Sequence, residues 1–381
     1  MTTQNLIKKT FLDIAAGLET GSFGGRPKIA ITGIGSELGE KNVLDGAITA
    51  AARGVDVTYI GTLTHPSLTC VHAESEADVH AKMEALLASG NSDGAVTMHY
   101  PFPVGVSTVG RVVTPATGRE MFIACTTGVS STSKTECLVK NALYGIIAAK
   151  SCGIANPTVG ILNIDGARAA EGVLLALQKG GYDITFASSG RSDGGCIMRG
   201  NDALTASCDV LVADPLTGNI LMKMLSAFTT GGGYEATGYG YGPGIGEKNS
   251  KLVNIISRAS GAPVVAGAIV YAADLVRGNW SEVAKSEHSA AVQAGLKKLL
   301  DQAKPKAATE AKVVEAPPKE VVTAEISGIE VTELDDAVAV LWEQKIYAES
   351  GMGCTGPIVL VSEANLEKSR EILVAAKFVT A

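Results

Sequence analysis

The sequence has little of what nucleic-acid-binding, membrane and secreted proteins usually carry. Aromatic residues make up 5% of the 381 residues, and the formal net charge is −7. This acidic balance argues against nucleic acid or an anionic membrane surface as the main partner. No apolar run approaches the roughly 18 residues that a membrane span needs, and residues 1–9 lack the apolar segment of a signal peptide. We therefore expect a cytoplasmic protein that binds neither nucleic acid nor membrane.

The seven cysteines are not arranged for disulfides or for a metal. They are widely spaced and odd in number, CxxC is absent, and no cysteine–histidine group has zinc spacing. We predict free thiols and no metal site. Cys125, Cys137, Cys152, Cys196 and Cys208 lie in or beside apolar or glycine-rich segments, so the default interpretation of each is a structural thiol. Whether Cys125, Cys137 or Cys196 takes part in the chemistry stays open.

What the sequence does have is 46% hydrophobic residues in short apolar runs that alternate with helix-length patterns. Near-continuous Val/Ile/Leu runs between helices predict an α/β fold with a buried, mostly parallel sheet. The loop at 33–39 has GxGxxxG spacing rather than the GxGxxG of dinucleotide-binding proteins. Strands are predicted at 28–32, 55–60, 94–98, 111–114, 121–124, 158–164, 184–186, 209–213 and 263–269.

Ligands of such sheets bind beyond the carboxyl ends of the strands, so polar residues at these ends are candidate site residues. Asn163 ends one predicted strand. Thr217, Gly218 and Asn219 follow another and could open a helix whose backbone N–H groups face an oxyanion. The alternative interpretation of these three residues is ordinary helix capping.

A second candidate anion site follows the strand predicted at 263–269. Asp274 and Arg277 lie beyond it, and a guanidinium is well shaped for bidentate contact with phosphate. The alternative is a surface salt bridge.

The composition changes near the C-terminus and predicts three parts. Residues 1–300 form the main α/β domain, and alternating charge, alanine and proline at 301–323 indicate a linker. Residues 324–381 are predicted to form a small βαβα module that docks on the main domain. Its first helix is predicted to run to about Tyr347, directly before a glycine-rich turn.

Cys354 lies in that turn, within the run Glu349–Pro357, and it is the candidate catalytic residue. Its neighbours Gly353, Thr355 and Gly356 leave the sulfur accessible, and their N–H groups could converge on a thiolate or an oxyanion. The predicted helix end before the turn would oppose a thiolate through its dipole. The alternative interpretation is an ordinary tight turn with a buried cysteine.

Several segments resemble known acyltransferases. The runs Thr158–Asp165 (TVGILNID) and Cys208–Lys223 (CDVLVADPLTGNILMK) resemble the phosphate acyltransferase family of phospholipid synthesis over roughly residues 25–300. The run Gly261–Gly278 resembles the phosphate-binding end of phosphotransacetylases, whose serine–arginine pair falls on Val276 and Arg277 here. The resemblance implies a phosphotransacetylase-like fold, which is also isocitrate dehydrogenase-like.

The run Glu349–Ser362 (ESGMGCTGPIVLVS), attached to such a domain, resembles the component C alpha subunits of glycine/sarcosine/betaine reductase complexes. The resemblance covers the whole chain. It implies an acetyl thioester on Cys354 that phosphate cleaves to acetyl phosphate, with phosphate as substrate and no covalently bound cofactor. The implied partners are the component C beta subunit and the selenoprotein component A, which donates a carboxymethyl selenoether in amino-acid fermentation. An oligomer is expected.

Two other functions stay open from the residues alone. One is a free phosphate acyltransferase that uses acyl carrier protein or coenzyme A. The other is a non-catalytic assembly subunit in which Cys354 senses redox state. The sequence does not indicate whether glycine, sarcosine or betaine feeds the complex.

Overall fold

The computed structural model describes residues 25–190, 194–303, 314–327, 329, 333–353, 356–376 and 378–379, together with residues 7, 10, 11, 14, 15, 17 and 18. Strands and helices alternate through the main domain. Within the described ranges, no helix combines the length and apolarity that a membrane crossing requires.

The main domain contains strands β1 to β12 and helices α1 to α9. The strands are β1 Lys28–Thr32, β2 Asp56–Gly61, β3 Thr69–His72, β4 Gly94–Thr97, β5 Val106–Val113, β6 Glu120–Val129, β7 Thr158–Leu162, β8 Thr185–Phe186, β9 Ile197–Met198, β10 Val210–Val212, β11 Gly242–Ile245 and β12 Val253–Ile255. The helices are α1 Glu40–Ala51, α2 Glu76–Ala88, α3 Lys134–Ser151, α4 Ala167–Lys179, α5 Gly200–Thr205, α6 Pro215–Ala227, α7 Ala262–Arg277, α8 Trp280–Gln293 and α9 Leu296–Ala303.

These strands form one twelve-stranded sheet in the order β3-β2-β1-β4-β12-β11-β5-β6-β10-β7-β8, with β9 paired to β7. Strand β11 is antiparallel to β12 and β5, and β5 is antiparallel to β6. The remaining described pairs are parallel, which confirms the predicted fold class. Because of the antiparallel pairs, strand direction reverses between β12 and β6. Helices α1 and α7 cover one half of the sheet, and α3, α4 and α8 cover the other.

The strand predicted at 263–269 is wrong, because these residues belong to helix α7. The helix packs between the sheet and α1, and residues on most of its circumference are buried, from Val264 to Leu275. A helix that is apolar on nearly all sides loses the 3.6-residue contrast that identifies helices in a sequence. Its Val-rich start then resembles a buried strand.

The C-terminal unit contains one strand more than the sequence predicts. Its elements are β13 Ala324–Ser327, α10 Leu334–Glu343, β14 Ala348–Gly353, β15 Gly356–Val361 and α11 Leu366–Ala375. Strand β15 lies between β13 and β14 and is antiparallel to both. Helix α10 therefore ends before Tyr347, and the residues before Cys354 are extended. The predicted helix dipole next to the cysteine is thus wrong. Glycine is depleted in strands, which is why β14 is hard to predict.

The C-terminal unit docks on the main domain. Gly351 in β14 forms an antiparallel bridge with Pro103, which lies in the loop before β5. Thr132 donates a hydrogen bond of 3.4 Å from Oγ1 to Oδ2 of Asp335 in α10. Leu334 of this helix is fully buried within the unit's own apolar core. These contacts place the hairpin of β14 and β15 against the loop that follows β4.

Candidate functional site

A cleft of about 350 Å³ lies where the two halves of the sheet meet the C-terminal hairpin. Residues after β4 and β12 line one wall, and the end of β6 together with helix α6 lines the other. Met352 and Gly353 from β14 complete the lining. The cleft thus combines segments from distant parts of the chain at the place where strand direction reverses.

Helix α6 contributes Asn219 to the cleft wall, as the sequence predicts for a residue at this strand end. The helix begins after Asp214, whose carboxylate accepts hydrogen bonds from the N–H groups of Leu216 and Thr217, each at 3.0 Å. One turn later, Nδ2 of Asn219 donates to the carbonyl oxygen of Thr126 at 3.1 Å. This bond fixes the amide beside the end of β6.

Thr217 and Gly218 do not line the cleft with Asn219. The Thr217 hydroxyl donates to Oδ2 of Asp214 at 2.5 Å, and the Gly218 N–H donates to the Asp214 carbonyl oxygen at 2.9 Å. Their polar groups therefore satisfy the start of the helix, which agrees with the capping alternative. The predicted oxyanion role of these two N–H groups is not supported by this geometry.

Gly218 instead allows helix α6 to approach strand β6. A Cβ atom at this position would lie 1.7 Å from the carbonyl oxygen of Cys125. We expect Gly218→Ala to lower the free energy of unfolding by about 3 kcal/mol, because the helix must shift from the strand. Gly172→Ala in α4 is the matched control, because a Cβ there meets nothing within 4 Å and alanine favours the helix.

Denaturant unfolding of the two glycine variants measures this difference. Gly172→Ala is expected to be neutral or slightly stabilising. An equal stability of the Gly218→Ala variant and the unmodified protein would show that the close helix–strand approach is not required.

Lys223, one turn after Asn219 on α6, brings a cation to the cleft. Its Nζ lies 2.7 Å from Oε1 of Glu235 and 2.8 Å from Oγ of Ser257. Glu235 is fully buried behind the wall, whereas Ser257 lines the cleft. The sequence analysis included Lys223 in a family-like run but did not identify it as a site residue.

Arg258 is the second cation of the cleft. Its guanidinium donates to both carboxylate oxygens of Glu76, at 2.9 and 2.8 Å, and to the carbonyl oxygen of Gly35 at 2.9 Å. The hydrogen bond from Arg258 lowers the pKa of Glu76. Both side chains are partly exposed, 39% and 50%, so an anion in the cleft can also reach the guanidinium.

Ser257 and Arg258 form a serine–arginine pair directly after strand β12 and its neighbour Ile256. The resemblance to phosphotransacetylases assigns such a pair to Val276 and Arg277, 19 residues later in the chain. The rule that sites follow strand ends would have identified the pair if β12 had been recognised. The misassigned strand at 263–269 hid it.

Asp274 and Arg277 lie near the far end of helix α7. Nη1 of Arg277 donates to Oδ1 of Asp274 at 3.1 Å, and Nη2 donates to the carbonyl oxygen of Gly54. Asp274 also pairs with Arg111. A 16-residue helix is about 24 Å long, so these residues are distant from the cleft at its start. Their contacts agree with the salt-bridge alternative, and neither residue lines the cleft.

Asn163 also lies outside the cleft. It follows strand β7, its N–H donates to the carbonyl oxygen of Met198 at 2.9 Å, and its side chain is exposed. The structure therefore brings Asn219 together with Lys223, Ser257 and Arg258, which the sequence did not identify, and separates it from Asn163, Asp274 and Arg277.

His99 follows β4 and lies in the cleft wall near Met98. Burial, followed by the nearby His80, lowers the pKa of its imidazole. The lowered pKa favours the uncharged ring at neutral pH, in a cleft that also contains the cations Lys223 and Arg258. No motif in the sequence marks His99, since its place in the cleft depends on segments that are distant in the chain.

Strand β14, which ends directly before the candidate cysteine in the chain, reaches this cleft. Cys354 and Thr355 lie outside the described residues, but each is covalently attached to a described neighbour. Gly353 and Gly356 pair across strands β14 and β15, and Gly353 lines the cleft.

The thiols inside the main domain are poorly suited to nucleophilic chemistry. Cys125, Cys137, Cys196 and Cys208 are buried, and burial raises the pKa of each thiol. For Cys196 a hydrogen bond to Glu171 contributes as well, and its pKa is about 12. A protonated thiol is a weak nucleophile, so these contacts agree with a structural role.

The raised pKa values predict slow alkylation of these thiols in the folded protein. Below pH 12, Cys196 should react with iodoacetamide about ten times faster for each unit of added pH, because its thiolate fraction grows in that proportion. The partly exposed Cys70 is the comparison thiol. Peptide mapping after brief labelling at pH 8 should find Cys70 modified and Cys196 unmodified. Equal labelling of both would contradict this assignment.

Three comparisons place the chain among known proteins. The family model described as "Fatty acid synthesis protein" matches residues 27–360. The alpha subunit of component C of the glycine/sarcosine/betaine reductase complex from Peptoclostridium acidaminophilum is 56% identical over 97% of each chain. A phosphate acyltransferase from Bacillus licheniformis is 25% identical over 51% of this chain and 70% of the relative. The crystal structure of a branched-chain phosphotransacylase from Enterococcus faecalis aligns with a TM-score of 0.47 and 17% identity, covering 66% of this chain and 99% of that one.

Proposed function

Since this chain belongs to the fatty acid synthesis protein family, and within it to the family of component C alpha subunits of glycine/sarcosine/betaine reductase complexes, we propose that it transfers an acyl group to phosphate. The acyl group is an acetyl group carried as a thioester on Cys354. The product is acetyl phosphate, and phosphate is a substrate rather than a bound cofactor.

One observation carries this proposal. Gly353, the residue directly before Cys354, lines the same cleft as Lys223 and Arg258. This contact supports the proposal that the Cys354 thiol works in the cavity that holds two cations suited to phosphate. Productive attack on a thioester requires near-contact geometry between the reacting atoms, and the docked hairpin supplies the approach.

In the proposed step, a phosphate oxygen attacks the carbonyl carbon of the Cys354 thioester. The tetrahedral intermediate collapses, the carbon–sulfur bond breaks, and the sulfur leaves as a thiolate. Arg258 and Lys223 hold the phosphate and offset its negative charge, while the Ser257 hydroxyl and the Asn219 amide line the same cleft as hydrogen-bonding groups. The thiolate is then ready to accept another acyl group.

The rest of the cleft suits the acetyl group. Met98, Tyr100, Phe102 and Met352 give it an apolar part beside the polar wall. A small methyl group can occupy such a surface while the carbonyl oxygen remains near the hydrogen-bond donors.

We further propose that other proteins of a reductase complex deliver the acyl group. The relative from Peptoclostridium acidaminophilum is named as one subunit of such a complex. For this chain we propose a component C beta subunit as a partner and a selenoprotein component A, which carries a carboxymethyl selenoether, as the donor, in an oligomeric cytoplasmic assembly.

An isotope-exchange experiment tests the proposed function. The pure protein is incubated with acetyl phosphate and isotopically labelled inorganic phosphate, without coenzyme A. A thioester intermediate predicts that label enters acetyl phosphate, because acetyl transfer to the thiol is reversible. Exchange that requires coenzyme A or acyl carrier protein would instead favour the free phosphate acyltransferase. No exchange under either condition would favour a non-catalytic subunit.

A further inference from the structure

A fully buried carboxylate lies directly behind the polar wall of the cleft. Glu235 has no exposed surface, and it follows the glycine-rich segment after helix α6. Its Oε1 accepts hydrogen bonds from Lys223 at 2.7 Å and Tyr241 at 3.1 Å, and its Oε2 accepts one from Ser260 at 2.8 Å. The carboxylate does not itself line the cleft, so the proposed chemistry does not use it directly.

Among the hydrogen-bond partners of Glu235, Lys223 is the one that carries a positive charge, which the carboxylate offsets. A neutral glutamine has one acceptor oxygen, which can keep the hydrogen bond from Ser260, and one NH2 group, which can donate to the Tyr241 hydroxyl, but it would not offset the ammonium charge of Lys223. A buried charge persists when it is paired and hydrogen-bonded. The pair therefore fixes a cation at the cleft wall, with the Lys223 side chain about half exposed on the cleft side.

Glu235 also determines where Ser257 lies. Oγ of Ser260 accepts a hydrogen bond from the N–H of Ser257 at 3.1 Å and donates one to the carboxylate of Glu235. The carboxylate therefore holds in place the turn that carries Ser257. The backbone adds two bonds, from the Glu235 N–H to the carbonyl oxygen of Ala259 and from the Gly261 N–H to the carbonyl oxygen of Glu235.

The hydrogen-bond count at Ser257 fixes the role of its hydroxyl. Its Oγ accepts from Nζ of Lys223 at 2.8 Å and from the N–H of Ala259 at 3.1 Å. Neither group can accept a proton in return, since an ammonium and an amide N–H are donors only. A hydroxyl has two lone pairs and one proton, so both acceptor positions are used. The remaining proton is available to an acceptor in the cleft that Ser257 lines.

We propose that Glu235 is a positioning residue for acyl transfer, which holds the Lys223 ammonium against Ser257 and so orients the Ser257 hydroxyl as a donor to an oxyanion in the cleft. The inference rests on the proposed function of the cleft. It assigns to the charge of Glu235 an effect that is transmitted through Lys223 and absent when Lys223 is absent, whereas the contact with Ser260 requires only an acceptor oxygen. A purely structural role would not depend on that lysine.

A double-mutant cycle on the exchange reaction tests this dependence. We expect Glu235→Gln to lower kcat/KM for phosphate on the order of tenfold or more, with both a higher KM and a lower kcat, because the cation and the hydroxyl donor are displaced together. In a Lys223→Met background, Glu235→Gln should cause no further loss. Rates are referred to the folded fraction, measured from thermal unfolding followed by circular dichroism.

The chain offers a matched control for removing a buried carboxylate. Glu287 accepts from Nζ of Lys150 and from the Tyr182 hydroxyl, each at 2.6 Å, and none of these three residues lines the cleft. Glu287→Gln therefore removes a buried carboxylate that also pairs with a lysine and a tyrosine, but at a position outside the cleft. It is expected to change stability while leaving KM for phosphate and kcat of the folded fraction unchanged.

The outcomes separate this inference from the proposed function. The positioning role would be overturned if the losses of kcat/KM from Glu235→Gln and Lys223→Met multiply in the variant that carries both changes. It would also be overturned if Glu235→Gln leaves KM and kcat of the exchange reaction unchanged. Absence of exchange in the unmodified protein would instead overturn the proposed function. If Glu235→Gln does not fold, Glu235→Asp replaces it in the cycle, since it keeps the charge. A smaller loss that again disappears in the Lys223→Met background then supports the role, and a multiplicative loss contradicts it.

Discussion

Replacing Cys354 with alanine is expected to lower the rate of phosphate exchange at least roughly a thousandfold, because the variant has no thiol to carry the acetyl group. Phosphate binding should survive, since the cations of the cleft, Lys223 and Arg258, are unaffected. The measurement is the exchange rate at saturating acetyl phosphate, together with phosphate affinity by calorimetry. This combination separates loss of the carrier thiol from loss of the site.

Cys70→Ala is the control for this experiment. Cys70 is partly exposed on strand β3 and does not line the cleft. Its removal should leave exchange unchanged. Full activity of the Cys354→Ala variant would refute the carrier role, and another thiol or a direct transfer would then have to be considered.

The second large effect is expected at Arg258. Replacing it with glutamine removes a guanidinium from the cleft, and we expect kcat/KM for phosphate to fall roughly 10²–10³-fold, or about 3–4 kcal/mol. The loss should appear largely in KM, because the side chain contacts phosphate before and during the reaction. Steady-state exchange at varied phosphate concentration measures both parameters.

Glu76→Gln distinguishes this effect from loss of the ion pair. Glu76 is the bidentate partner of Arg258 and is half exposed, so its pair should contribute at most about 1 kcal/mol to stability. The variant keeps the guanidinium and should retain phosphate binding. A loss equal to that of Arg258→Gln would show that the ion pair, rather than contact with phosphate, is what matters.

The Arg277→Gln variant tests whether Arg277, as the sequence predicts, or Arg258, as the structure indicates, is the phosphate ligand. The sequence predicts Arg277 as a phosphate ligand, whereas in the structure Arg277 pairs with Asp274 at the end of helix α7 that is distant from the cleft. The cleft predicts that Arg258→Gln is the more damaging variant. The reverse order would restore the sequence-based assignment and contradict the site described above.

The sequence predicts the body of this fold well where its local signals are strong. Strands β7 and β10 are short Val/Ile/Leu runs next to polar turns, and both lie close to their predicted positions. Helix α7 was missed because apolar residues surround most of it, which removes the helical period. Strand β14 was missed because Gly351 and Gly353 have low strand propensity, yet pairing with β15 holds them extended.

The cleft was harder to predict than the sheet. Its lining brings together His99, Asn219, Arg258 and Gly353, which are far apart in the chain. Their proximity depends on the reversal of strand direction and on docking of the C-terminal hairpin, and neither has a local signature. Cys354 could be recognised from the glycines that flank it, and Asn219 from its position at the start of a helix. The buried partner Glu235 gave no signal, since its role follows from three-dimensional contacts.

The most direct measurement is the mass of the Cys354 peptide after the pure protein is mixed with acetyl phosphate and quenched in acid. The account predicts one added acetyl group on that peptide, removed by hydroxylamine and by further incubation with inorganic phosphate. An unmodified Cys354 peptide in a protein that still exchanges phosphate, or an acetyl group that phosphate cannot remove, would contradict it.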